Sequence, residues 1–105
     1  MYQTPDREVM LVNDLLSEVG LQSGLTDVQE LVLRECCLGA SYQKIADNSN
    51  YEYGYIKKVG SQLWRLLSEC MGKKISKSNV RSLLQHQIRQ DIHKTVKHHL
   101  NSAEK

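Results

Sequence analysis

Three features of the chain predict an all-α fold of about five helices with a long helix at its C-terminal end. Apolar side chains recur at three- and four-residue spacings along most of the 105 residues, which is the period of an amphipathic helix. The single proline, Pro5, precedes all of these stretches and interrupts none of them. The chain has no phenylalanine and only six glycines, a composition that disfavours a sheet-rich fold with many tight turns.

The length and composition predict one domain with an apolar core. A chain of this size can bury a core without disulfides or metals, and 40% apolar and 25% charged residues are ordinary for a globular protein. We expect a single domain over residues 1–105, with its core at 25–71, an N-terminal helix at 6–19 and a C-terminal helix at 80–100. Because no apolar stretch has the length of a membrane span and no signal peptide is evident, we expect a cytoplasmic protein without a membrane partner.

Local signals indicate where the helices begin and end. Thr26, followed three residues later by Gln29, has the pattern of a capping box, and Ser41 is a second N-cap residue. Gly39 and Gly72 follow apolar stretches, as glycines do at helix C-termini. The predicted helices cover about residues 6–19, 26–39, 41–47, 53–71 and 80–100.

The third and fourth predicted helices form a helix-turn-helix. The first helix of such a unit packs the second against the core, and the second presents its outer face to the major groove of DNA. The turn at 48–51 reads Asn-Ser-Asn-Tyr, and Asn tolerates the left-handed conformation. On the second helix, Ile56, Val59 and Leu63 are expected to face inward. The outward polar residues, suited to phosphates and base edges, are Tyr53, Lys57, Lys58, Ser61, Gln62 and Arg65.

The charge distribution indicates a polyanionic partner for the second part of the chain. Residues 1–35 contain seven acidic and two basic side chains, whereas residues 36–105 contain twelve basic and five acidic ones. Lys73, Lys74 and Lys77 lie in a polar connector before the last helix. These lysines either hold backbone phosphates or belong to a solvated loop, and the sequence alone does not decide between the two.

Several short motifs resemble those of known DNA-binding families. The segments Leu25-Thr26, Ser41-Tyr42-Gln43-Lys44-Ile45-Ala46 and Tyr55-Ile56-Lys57 are similar to the DNA-binding module of LuxR-type regulators and to region four of sigma factors. A longer phrase resembles more closely the N-terminal helix-turn-helix domain of cyanobacterial proteins associated with vWA and MoxR modules. It comprises Ser41-Tyr42-x-x-Ile45-Ala46, Tyr55-Ile56-Lys57, Leu63-Trp64-x-x-Leu67-Ser68, Gly72-Lys73 and Lys77-x-Asn79.

These resemblances imply a transcription regulator, or the DNA-binding domain of one, that recognises double-stranded DNA sequence-specifically. They place Tyr53 and Tyr55 among the contacting residues, with hydroxyls expected on phosphate or sugar, together with the outward polar side chains of the same helix. Glu52 departs from the LuxR and sigma patterns, which favour Ser or Thr at that N-cap, and its charge would repel phosphate. The alternative is therefore a protein-interaction adaptor of a signalling protein that keeps the scaffold without reading bases.

The remaining aromatic, histidine and cysteine residues have simpler interpretations. Tyr51 is expected to cover the core at the turn, and Trp64 to lie in the core or at an interface. Cys36, Cys37 and Cys70 fall on predicted core stripes, and no histidine pairs with them at zinc-ligand spacing. Without a phosphate loop, nucleophile elbow or metalloprotease motif, we expect no enzyme activity, cofactor, metal or small-molecule substrate.

The last predicted helix indicates self-association. Its apolar residues recur every four positions, so the stripe winds around the helix and one short domain cannot cover it from a single side. We expect a homodimer, which is common among helix-turn-helix proteins. The predicted interface residues are Leu84, Ile88, Ile92, Val96 and Leu100.

Replacing Ile92 and Val96 together with Asp is accordingly expected to give a monomer that remains helical. Burial of the apolar stripe, offset by the entropy of association, is consistent with a dissociation constant on the order of micromolar. Sedimentation at about 100 micromolar, well above that constant, measures the difference. An unmodified protein that sediments only as a monomer at this concentration would contradict the prediction.

Overall fold

The computed structural model describes residues 5–21 and 24–90, which form five α-helices and no strand. The helices are α1 (Asp6–Glu18), α2 (Asp27–Cys37), α3 (Tyr42–Asp47), α4 (Tyr53–Met71) and α5, which begins at residue 80 and is helical up to residue 90. The predicted all-α, helix-turn-helix bundle is confirmed. The remainder of the predicted C-terminal helix, to residue 100, lies outside the described residues.

The predicted N-caps of α2 and α3 are present as hydrogen bonds. The Thr26 hydroxyl accepts from the Gln29 amide at 3.2 Å, and the Gln29 side chain accepts from the Thr26 amide at 2.9 Å, which completes a capping box. The Ser41 hydroxyl accepts from the Lys44 amide at 3.1 Å. At the other end of α4, Gly72 adopts the left-handed conformation, with φ of 66°. Residue types at the helix ends thus determine where these helices begin and end.

The core is organised around α4, whose buried side contacts α1, α2 and α3. Ile56, Leu63 and Leu67 are fully buried along this side of the helix. Ile56, Val59 and Leu63, predicted to face inward, belong to one apolar cluster, against which Val28 and Leu31 pack partly buried. Its buried members include Val32, Ile45, Ala46, Ile56, Val59, Leu63 and Leu67. A helix that contacts three neighbours through one side has only its opposite side left for a partner.

Two polar contacts hold α1 against the region of α2. The side-chain oxygen of Asn13 accepts a hydrogen bond from the Leu25 amide at 2.9 Å, and Arg34 pairs with Asp6 across the two helices. Gly24 lies under Asn13 with φ of 68°, where an added Cβ would approach the amide oxygen to 2.6 Å. Only glycine therefore fits this turn without moving Asn13.

Tyr42 joins α3, α4 and the connector. Its hydroxyl accepts a hydrogen bond from the Trp64 indole N–H at 2.8 Å, so the first residue of α3 is tied to the middle of α4. Its ring lies directly on Gly60, where a Cβ would come within 2.7 Å of the hydroxyl oxygen and 2.8 Å of a ring carbon. The ammonium group of Lys77 lies over the same ring, 5.7 Å from its centroid. The close approach of α3 to α4 thus requires a residue without a side chain at position 60.

The connector between α4 and α5 is an ordered segment. The Ser68 hydroxyl accepts from the Ile75 amide at 2.8 Å, and the Ile75 side chain is buried in the core. The Asn79 side chain accepts from the Ser76 amide at 2.8 Å and donates to the Lys74 carbonyl at 3.0 Å. These bonds close the connector into a compact turn that packs on the end of α4.

Replacing Gly60 with Ala is expected to destabilise the protein, although Ala is favoured over Gly in a helix by about 1 kcal/mol. The new methyl group would displace the Tyr42 ring, which the Trp64 hydrogen bond holds in place. Gly54 is the matched control on the same helix, because nothing lies within 4 Å of its missing Cβ. Gly54→Ala should be neutral or slightly stabilising in chemical denaturation. In a Tyr42→Ala background, Gly60→Ala should no longer destabilise the protein. If Gly60→Ala stabilises the protein that retains Tyr42, the contact between Tyr42 and Gly60 is incorrectly described.

The three cysteines are expected to differ in reactivity towards an alkylating reagent. Burial raises the pKa of Cys36 to about 11 and that of Cys37 to about 12, so both remain neutral thiols at mildly alkaline pH. Cys70 is only half-buried, although burial also raises its pKa. Since the thiolate is the nucleophile, Cys70 should be modified first and the other two only on unfolding, as peptide mass spectrometry can show. Equal labelling of all three in the native protein would contradict the packing of α2.

Candidate nucleic-acid interface

The outward side of α4 is polar, exposed and predominantly basic. The helical period places Lys58, Ser61 and Arg65 opposite the buried row of Ile56, Val59 and Leu63. All the α4 side chains predicted from the sequence are exposed: Tyr53, Tyr55, Lys57, Lys58, Ser61, Gln62 and Arg65. The helical period groups the five polar residues from Lys57 to Arg65 on the outward side together with the exposed Glu69. Tyr53 and Tyr55, two residues apart, lie at opposite edges of this side, about 200° apart.

The three connector lysines are in different environments. Lys73 and Lys74 are exposed just beyond the C-terminal end of α4. Lys77 is half-buried, and its ammonium group stacks on the ring of Tyr42. The connector backbone is folded onto the end of α4, and the two interpretations of its lysines, phosphate contacts or a solvated segment, both stay open. The role of Lys77 within the fold is to hold Tyr42.

Positive charge is concentrated around the helix-turn-helix. Between residues 41 and 81 the chain has eight basic and three acidic side chains, whereas residues 5–40 have two basic and seven acidic ones. Among the described residues, Arg34 is the only cation in an ion pair, and it belongs to the acidic part of the molecule. Within residues 5–21 and 24–90, the basic groups of α4 and the connector therefore form no ion pair that would compete with an external anion.

The turn before α4 differs from the prediction at two points. No residue other than glycine has a positive φ in the described ranges, so the asparagines at 48 and 50 do not use the left-handed conformation. Instead, the Ser49 hydroxyl accepts from the Tyr51 amide at 3.3 Å and stabilises the turn. The prediction that Tyr51 covers the core is wrong. Its side chain is 39% exposed, and its ring lies along the outside of α4, 5.5 Å from that of Tyr55.

Glu52 is the N-cap residue of α4, as its position in the sequence indicates, but its side chain makes no capping hydrogen bond. The long Glu side chain caps poorly compared with the Thr and Ser that cap α2 and α3. The carboxylate is exposed at the end of α4 from which the outward surface begins. It is therefore a negative charge beside a basic surface. It departs from the Ser or Thr that the LuxR and sigma patterns favour at this N-cap.

The predicted dimer interface changes in one residue. Leu84 is fully buried together with Val80, because the start of α5 closes the bundle over the core. Leu84 therefore has no surface to offer a second chain, and its assignment to an interface is wrong. Ile88 is half-buried. The three remaining predicted interface residues, Ile92, Val96 and Leu100, lie outside the described residues.

No cluster of three or more His, Cys, Asp or Glu side chains suited to a metal ion occurs within residues 5–21 and 24–90. His86 lies within hydrogen-bond distance of Gln90, at 3.1 Å, on the exposed side of α5. None of the helices in those ranges is long and apolar enough to cross a membrane.

Tyr42 is the positioning residue that sequence reasoning did not identify as such. Its neighbours Gly60, Trp64 and Lys77 are distant along the chain, so spacing alone gives no indication that they meet. The available signal was their co-occurrence in the longer shared phrase, where Tyr42, Trp64, Ser68, Gly72, Lys77 and Asn79 all appear. The structure assigns each of these six residues a role in holding α3, α4 and the connector together.

Comparison with known proteins agrees with this arrangement. No curated protein and no solved structure matches the chain. Residues 6–87 match the family described as the vWA-MoxR associated protein N-terminal HTH, which covers more than three quarters of the sequence. The matched segment begins with α1 and includes α2 to α4, the connector and most of the described part of α5. The chain therefore belongs to the family of N-terminal helix-turn-helix domains of vWA-MoxR associated proteins.

Proposed function

We propose that this domain binds double-stranded DNA sequence-specifically, with α4 in the major groove, as a transcription regulator or the DNA-binding domain of one. The observation that carries the proposal is the outward surface of α4. Five exposed polar and basic side chains share that surface, Tyr53 and Tyr55 lie at its edges, and α3 holds the helix in place through Tyr42 without covering it. A recognition helix requires this combination of a rigid support and a free polar side.

The size and charge of the surface suit a DNA duplex. With 19 residues, α4 is about 28 Å long, and its diameter fits a major groove about 12 Å wide. Lys57 and Lys58 lie in its first half, and Lys73 and Lys74 extend the positive surface beyond its end. Ser61 and Gln62 lie between these basic groups and have hydrogen-bonding groups suited to base edges.

Two further parts of the proposal concern assembly and chemistry. A homodimer would present two copies of α4 to half-sites about one DNA turn apart. The sequence assigns this contact to Ile88 and to residues 92, 96 and 100, which lie outside the described residues. The domain has no catalytic role in this proposal, since the buried thiols are neutral and the exposed acidic and basic groups are dispersed along the helices.

A second candidate function is that of a protein-interaction adaptor. It is favoured by the acidic side chains of α1 and α2 and by the exposed Glu52 and Tyr51 at the start of α4, which are suited to a protein surface as well. The two functions differ in their dependence on salt. Binding to a duplex releases condensed counterions and weakens steeply between about 50 and 200 mM salt.

Replacing Lys57 and Lys58 together with Ala is expected to weaken duplex binding at least about tenfold and to reduce the slope of log affinity against log salt by about two. Both side chains are exposed and unpaired, so the melting temperature should hardly change. Electrophoretic titration of a labelled random-sequence duplex at two salt concentrations measures both quantities.

The matched control replaces Arg7 and Arg89, which are also exposed but lie on α1 and α5, with Ala. This variant loses the same charge and should retain most of the affinity. Equal losses in the two variants would show that binding depends on net charge alone. An affinity of the Lys57 and Lys58 variant within twofold of the unmodified protein would remove α4 from the interface and favour the adaptor.

A further inference from the structure

The two ends of α4 differ in chemistry. Its basic side chains begin only at Lys57, one turn into the helix, and continue with Lys58 and Arg65. The exposed groups that precede them are a carboxylate and three phenol rings, without a cation: Tyr51, Glu52, Tyr53 and Tyr55. In a helix-turn-helix docked on DNA, the N-terminal residues of the recognition helix are the ones that meet base edges. The end of α4 nearest the bases is therefore the end without positive charge.

The carboxylate of Glu52 is free to act as an acceptor. It makes no capping hydrogen bond with α4 and, among the described residues, no ion pair. The N-cap side chains of α2 and α3, Thr26 and Ser41, are by contrast occupied by backbone amides. Close to phosphates, a carboxylate without a donor is unfavourable because like charges repel. Binding to DNA is consequently more favourable where Glu52 faces a hydrogen-bond donor.

Base chemistry restricts that donor to one kind of group. In the major groove only cytosine N4 and adenine N6 donate hydrogen bonds, whereas guanine and thymine present acceptors there. Adenine N6 lies beside the N7 acceptor, which would repel the second carboxylate oxygen. Cytosine N4 lies beside a C–H group and has no such neighbour. Cytosine is therefore the base that accommodates both oxygens of an ionised carboxylate.

The Tyr51 and Tyr55 rings support the same orientation. Their centroids are 5.5 Å apart, and the pair forms an exposed apolar surface beside Glu52 in the sequence. Apolar surface next to a base edge excludes water, and a hydrogen bond to a charged acceptor is stronger where water is excluded. We propose that Glu52 determines base specificity by accepting a hydrogen bond from the exocyclic amino group of a cytosine in the major groove. This inference rests on the proposed function.

The test compares the full chain with Glu52→Gln and with Glu69→Gln. Glu69 is the matched control because it is an exposed glutamate near the other end of α4, and its replacement removes the same charge. Each protein is used to select duplexes from a random-sequence library of about 20 base pairs, two turns of DNA. Affinities are then measured for duplexes in which each selected base pair is exchanged for the other three.

The unmodified protein and Glu69→Gln should prefer a C·G pair at one position by about tenfold over each alternative. Glu52→Gln should lose the preference for C·G over A·T at that position, because an amide can accept from adenine N6 and donate to adenine N7. The preferences at the other positions should remain. Its affinity for non-selected duplex should rise, since a negative charge near phosphates has been removed.

The other outcomes separate the two proposals. If the unmodified protein shows no cytosine preference, or if Glu52→Gln retains it, the role of Glu52 is wrong while DNA binding stands. If none of the three proteins binds any duplex at low salt, the proposed function itself fails. Circular dichroism of Glu52→Gln checks the fold, which should not change because the exposed side chain makes no capping hydrogen bond with α4.

Discussion

The contact between Tyr42 and α4 is the constraint on which the arrangement of the helix-turn-helix depends. The six-residue helix α3 is too short to be stable by itself, so its position has to come from tertiary contacts. Ile45 anchors α3 in the core by its burial. Tyr42 fixes the orientation of α3 by accepting the Trp64 hydrogen bond and by packing its ring against Gly60. A glycine within a helix costs about 1 kcal/mol, and the close approach of α3 offsets that cost. Gly60 thus lowers the helical stability of α4 itself but allows α3 to fix the orientation of the outward side of α4.

This arrangement lets α4 serve two environments at once. One side supplies the centre of the core, and the other remains polar because no described helix covers it. The connector extends the support, since Ser68 holds Ile75 in the core and Lys77 stacks on Tyr42. The basic residues in this segment therefore have distinct roles: Lys77 stabilises the fold, whereas its exposed neighbours are available to a partner.

Electrostatics divide both the molecule and α4 itself. The segment containing α1 and α2 is acidic, and the segment from α3 to the start of α5 is basic, so a polyanion is attracted to one region and repelled by the other. At the start of α4, Glu52, which makes no capping hydrogen bond, and the neighbouring rings of Tyr51 and Tyr55 precede the lysines. A helix with positive charge along its whole length would attract any duplex equally. The proposed role of Glu52 provides a physical source of discrimination in a surface otherwise dominated by charge.

The amino-acid sequence by itself determined the elements of this protein. The period of the apolar residues, the caps at Thr26 and Ser41 and the glycine at position 72 act within a few residues of each other, so the helix limits and the inward row of α4 follow from local rules. The exposed polar residues of α4 followed in the same way. Only the tertiary structure decided how Tyr42 is used, that Tyr51 lies on the surface and that Leu84 belongs to the core. Those outcomes depend on contacts between side chains far apart along the chain, and helical period does not encode which neighbour covers a given apolar residue.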